Sequence, residues 1–172
     1  ETGFDEVLAN YAHLVTTAKG DAKSAGIAKK DMDAALFPVV AWIDETILAT
    51  EWAHKNDWVN NSLQKKYFNT TNAGDEFFTR LEKLTQEDNA LLEVYDYCLI
   101  SGFKGRFFES YQGEALKGIK QNTQRLLWGE NMPKVPEVLF PQAGDTLLIR
   151  RLKRKRWKGL SGLASVFITL PI

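Results

Sequence analysis

The sequence predicts an all-α domain of six to seven helices, and three observations predict it. Apolar residues recur at three- and four-residue spacing through most of the first 128 positions, no run sustains two-residue alternation, and Gly, Asp and Asn punctuate the periodic stretches. With 172 residues, 44% of them hydrophobic, the chain is long enough for one domain with a real core and too short for two of ordinary size.

Val7, Leu8, Tyr11, Leu14 and Val15 define a first helix over Phe4 to Lys19, with Gly20 expected to end it and Gly26 in the following link. The second helix carries the stretch on which the rest is organised, Leu36 to Thr50, capped at its start by Asp31 or Asp33. At about 100° per residue, Leu36, Val39, Val40, Ile43 and Ile47 share one side, widened by Trp42 and Leu48. Pro38 falls inside this pattern and should kink the helix or mark its first turn. A short helix is expected from Asp57 to Lys66, then one from Asp75 to Thr85 with Phe77, Phe78, Leu81 and Leu84 on one face. Asp88 or Asn89 caps the next, where Leu91, Leu92, Tyr95, Cys98 and Leu99 keep the period to Ser101 and Gly102 stops it. Leu116, Ile119, Leu126 and Leu127 give a last helix over Gly113 to Trp128, with Gly129 after it.

From residue 131 the pattern changes. Pro133, Pro136 and Pro141 support neither helix nor central strand, so residues 131–149 read as an extended linker between a helical domain over 1–130 and a tail over 150–172. The tail opens with the basic residues Arg150, Arg151, Lys153, Arg154, Lys155, Arg156 and Lys158, interrupted by Leu152 and Trp157. Removing those seven bases leaves 15 bases against 22 acids, so a formally neutral chain divides into an acidic body and a basic tail. Small and β-branched apolar residues follow. A basic segment with a tryptophan at interface depth and an apolar run behind it reads as a juxtamembrane segment and the start of a transmembrane anchor, although no stretch of the chain reaches the roughly 20 apolar residues of a full span. The alternative is a nucleic-acid-binding helical module using the same bases through counterion release, for which one aromatic in the cluster offers little stacking.

One cysteine allows no internal disulfide framework, and two histidines without a second cysteine give no zinc spacing; no cofactor is expected. Cys98 lies on an apolar helix face, where a buried inert thiol is the ordinary case. Asp44 and Glu45 are the one acidic pair in the central helix. Neighbours in a helix point about 100° apart and do not converge on one substrate, so acid–base catalysis is disfavoured and no catalytic residue is assigned. Glu45 falls nearly opposite the centre of the apolar stripe and Asp44 on its flank. Three readings remain for the pair: a solvated edge, an ion pair of Asp44 with a base on another helix, or a protein-contact site. The Gly102-Phe103-Lys104-Gly105-Arg106 stretch lacks the Gly-Lys-Ser/Thr of a phosphate loop and follows no strand. Gly102 is expected as a left-handed cap, and Gly105 as a tight turn returning Arg106 toward the core.

The order of these motifs resembles one family. AWIDETIL at 41–48, GDEFFTRLEKL at 74–84 and LLEVYDYCLISGFKGRFF at 91–108 are similar to the cytoplasmic domain of the DotU/IcmH/TssL proteins of type VI and type IVB secretion systems. The resemblance implies a compact, hook-like helical bundle in the bacterial cytoplasm, held to the inner membrane by a C-terminal anchor and without enzymatic activity. It implies an IcmF/TssM-like inner-membrane partner and cytoplasmic baseplate components as partners, with a homodimer also open to it and nucleic acid not expected. Asp44 and Glu45 match the family's acidic pair and carry over as partner-binding candidates, while Trp42, Gly102, Phe103, Gly105 and Arg106 carry over as structural. The family's Thr-Pro-Trp-Gly after the acidic helix is here Thr50-Glu51-Trp52-Ala53, so a different loop path is expected.

Overall fold

The computed structural model describes residues 3–108 and 113–129; the linker and the basic tail lie outside them. Among the described residues there are seven α-helices, two single 3-10 turns and no strand. The helices are α1 (Phe4–Ser24), α2 (Lys29–Ala49), α3 (Lys55–Asn60), α4 (Leu63–Phe68), α5 (Ala73–Leu81), α6 (Asn89–Ile100) and α7 (Gly113–Trp128).

The all-α expectation holds, and α2 is its axis. Every residue from Ala35 to Asp44 is buried, because α1, α3, α4, α5, α6 and the 3-10 turn at Gly105–Phe107 all pack against this helix. Fully burying a side chain of the size of Leu36, Phe37 or Val40 contributes about 1.5–3 kcal/mol each, so this one helix supplies much of the apolar driving force. Phe37 meets the edge of Phe68 on α4 at 5.1 Å and lies under the Arg80 guanidinium of α5 at 3.5 Å. Trp42 meets the Tyr97 edge on α6 at 6.0 Å. Pro38 sits in the helix interior, well past the first turn, and its missing N–H removes the bond that the Ala34 carbonyl would otherwise accept.

Several helix ends differ from the sequence expectation, each for a local reason. The first helix runs through Gly20 to Ser24 and closes at Gly26, whose φ is +76°. There Gly26 N–H donates to Lys23 and Ile27 N–H to Ala22, the paired bonds of a Schellman cap. Neither Asp31 nor Asp33 caps α2: its N-cap is Ala28, and Asp33 instead pairs with Lys19 at 3.2 Å and Lys29 at 2.5 Å. The single helix expected over Asp57 to Lys66 is two, α3 and α4, broken at Asn61 and Ser62. Helix α5 stops at Leu81, Glu82 and Lys83 form a turn, and Thr85 is extended. Thr85 and Asp88 then make a reciprocal capping box ahead of α6. The end of α6 is as expected: Gly102, at φ +104°, donates to Leu99 and Phe103 N–H to Cys98, a second Schellman cap. The last helix has the predicted bounds, with Gly129 left-handed at φ +53°.

Candidate functional site

Asp44 and Glu45 leave α2 on different sides, and both carboxylates close on backbone N–H groups. Asp44 is 1% exposed. Its Oδ1 accepts from the Trp58 indole Nε1 at 2.9 Å and from Leu63 N–H at 3.0 Å, and its Oδ2 from Gln64 N–H at 2.8 Å. Leu63 and Gln64 are the first two residues of α4, whose own N-cap, Ser62, makes no side-chain cap bond. Asp44 therefore caps α4 from another helix, placing a negative charge where orphan amides and the helix dipole favour one. Gln64 passes the arrangement on, its Oε1 accepting from Ala73 N–H at 3.0 Å at the start of α5.

Glu45 grips a different segment. Its Oε1 accepts from Lys104 N–H at 2.8 Å and its Oε2 from Gly105 N–H at 2.6 Å. Lys104 is right-handed (φ −117°, ψ −32°) and Gly105 left-handed (φ +48°), the alternation that turns successive amides toward one concavity and suits it to an anion. Gly105 is required twice over. Besides its positive φ, a Cβ there would lie 2.5 Å from the Gly74 carbonyl oxygen and 2.9 Å from the Phe78 ring. The turn is held from below by Phe103, 1% exposed and 4.3 Å from the Phe77 ring centroid. Arg106 remains exposed, its guanidinium 4.9 Å from the Phe78 centroid and 5.2 Å from that of Phe107, and pairs with Glu82 at 3.1 Å.

The acidic pair is thus not a wet strip of α2. Asp44 is interior, and the three bonds it accepts come from neutral donors rather than from the lysine or arginine of an ion pair; Glu45 keeps partial exposure. The physical reason is that α2 is enclosed over residues 35–44, so Asp44 meets the start of α4 in the interior and Glu45, at the edge of that enclosure, meets the 104–105 backbone while keeping some contact with water. Burial pushes both carboxyls above their ordinary range, opposed at Asp44 by the bonds from Gln64, Leu63 and Trp58, and at Glu45 by those from Lys104 and Gly105 and by the Lys104 charge. The Asp44 charge also adds to burial in raising the Tyr11 phenol. Sequence reading did not find Trp58, Leu63, Gln64 or Lys104 as partners; contacts across 14 to 60 positions leave no local periodicity.

The remaining candidates are structural or lie elsewhere. Cys98 is fully buried and burial raises its thiol far above the ordinary range. Among the described residues no group of three or more His, Cys, Asp or Glu side chains could hold a metal ion, and no helix is long and apolar enough to cross a membrane. The basic residues from Arg150 to Lys158 fall outside the described residues. Around α6 and the clamped turn, Ile100 is 46% and Phe108 49% exposed, and the Lys104 Nζ lies 5.4 Å from the Phe108 ring centroid.

Fold and site together define an all-α protein in which both carboxylates of the acidic pair accept backbone hydrogen bonds, Asp44 at the start of α4 and Glu45 at the 104–105 turn. The chain belongs to the family described as type VI secretion system protein DotU, whose model matches residues 2–171. It is similar in structure to the cytoplasmic domain of TssL from Acinetobacter baumannii, with a TM-score of 0.67 at 27% identity, over 74% of this chain and 83% of that one. No curated protein matches the chain.

Proposed function

We propose that the chain is a non-enzymatic structural adaptor of a type VI secretion membrane complex, linking an IcmF/TssM-like inner-membrane core to cytoplasmic baseplate components. The helical domain lies on the cytoplasmic side of the bacterial inner membrane. The basic cluster Arg150 to Lys158, with Trp157, meets the anionic lipid surface ahead of an anchor. Family membership and the similarity to a TssL cytoplasmic domain support this reading.

The observation that carries it is the two-pronged grip of Glu45 on Lys104 and Gly105. A buried helix holds a surface turn in one shape, and that turn keeps Lys104 and Phe108 in the open. Asp44 and Glu45 serve partner capture by fixing the surfaces that a partner meets, Glu45 directly beneath the 102–108 turn and Asp44 through α4. Type VI specificity rather than type IVB follows from the family matched.

The test is a pull-down of the full chain against the purified baseplate proteins and the core partner of one type VI cluster. It compares the native chain with Glu45→Lys and Phe108→Glu, each first shown to be folded by circular dichroism. Capture by the native chain and loss in both variants supports an adaptor using this turn. Equal capture by all three moves the surface elsewhere, and absence of capture by the native chain removes the adaptor reading.

A further inference from the structure

Among the described residues nothing covers one outward stripe of helix α7. At 100° per residue, Glu114, Lys117, Gln121, Arg125 and Trp128 share the side opposite Leu116, Ile119, Thr123, Leu126 and Leu127, which turn to the protein. All five outward residues are exposed, and Trp128, at 39%, is one of four large apolar side chains so exposed among the described residues. The other ionisable residue of the helix, Lys120, is half-buried and basic, so α7 carries three bases against one acid where the rest of the chain before residue 150 is acidic. Lys117 reaches Glu114 at 3.4 Å and Arg125 donates to Asn122 at 2.7 Å, both on the surface, where such contacts are weak and readily exchanged.

We infer that this stripe of α7 lies flat on an anionic lipid surface, with Lys117 and Arg125 on headgroup phosphates and Trp128 at the interface. Charge complementarity selects the occupant: the stripe carries two bases against one acid, Glu114, and a tryptophan one turn from Arg125, which suits a peripheral contact with anionic headgroups while the apolar side of α7 stays on the protein. The stripe from Lys117 to Trp128 is about 17 Å long, enough to touch several headgroups. It is also the last helix before the sequence that carries the basic cluster, so the second contact acts at high effective concentration once the first has formed. The inference rests on the membrane reading above and adds to it a fixed orientation: α7 faces the bilayer and the clamped turn is presented from a defined tilt.

The experiment places a nitroxide at Gln121→Cys, in the middle of the stripe, and as control at Lys23→Cys near the exposed end of α1, in the full chain. Cys98 is fully buried and does not compete for the label. Collision with a water-soluble nickel chelate is compared in solution and on vesicles of phosphatidylcholine with or without phosphatidylglycerol. The expected result is a several-fold drop in nickel access at 121 on the anionic vesicles, little change at 23, and recovery at 121 in Lys117→Glu/Arg125→Glu while the chain stays bound. Bound chain with an unchanged label at 121 overturns the orientation and leaves the membrane reading standing. Equal protection at both positions overturns it too. A chain that binds neither vesicle sinks both. Protection at 121 that needs an added acidic protein instead of lipid assigns the stripe to a protein partner.

Discussion

Two adjacent carboxylates on one helix have opposite relations to their surroundings. Asp44 is enclosed and caps a helix, with three donors around two oxygens. Glu45 is half-exposed and pins a surface turn with two. One residue of rotation separates a group that satisfies donors in the interior from a group that holds a surface turn. The acidic pair is therefore not one functional unit, and substitutions at the two positions should not be read alike.

The largest expected effect that separates them is Asp44→Ala. It leaves the Trp58 indole and two amides of α4 without their acceptor in the interior, and should cost about 3–5 kcal/mol by chemical denaturation. A cost under about 1 kcal/mol would mean that water replaces the carboxylate and would return Asp44 to the class of Glu45. Next is Gly105→Ala, which tests the turn rather than the clamp. A left-handed alanine and a Cβ 2.5 Å from the Gly74 carbonyl should cost about 2–3 kcal/mol and disturb the 102–108 resonances, with α4 unmoved.

The smallest effect is Glu45→Gln, about 1 kcal/mol, since solvent can replace part of what is lost. Its pH dependence is the sharper measurement. Burial raises the folded-state carboxyl of Glu45, so its contribution is fullest below the unfolded carboxylate range and is lost as pH rises through the raised value. Glu76, lowered by hydrogen bonds from Thr70 and Arg80, runs the other way: its contribution is present above the unfolded range and lost as pH falls. The stability gap between native and Glu45→Gln should therefore widen on acidification from pH 7 toward pH 4, while that between native and Glu76→Gln narrows. Gaps that move in the same direction would refute the assigned environments.

Much of this fold was legible locally. The end of α6 at Gly102 and both bounds of α7 follow from apolar period and glycine placement. Gly20 and Gly26 show what was needed beyond a glycine. A Schellman cap favours an apolar residue after it; Ile27 and Phe103 supply one after Gly26 and Gly102, whereas Asp21 follows Gly20. That signal was present and would have placed the end of α1 correctly. The break at Asn61 and Ser62 was less visible, because the acceptor that starts α4 sits 19 positions upstream of Leu63. The site was half legible. Motif and residues were found, but a wheel of α2 alone cannot say whether the side opposite its apolar stripe meets water or the backbone of another loop.

The relay from Asp44 through Gln64 to Ala73 has a consequence for motion. Helices α4 and α5, of six and nine residues, are too short to persist alone, and each begins on an acceptor outside itself. The amides of Leu63, Gln64 and Ala73 therefore share one opening event, the departure of α4 from α2, and exchange their protons with solvent together rather than in succession.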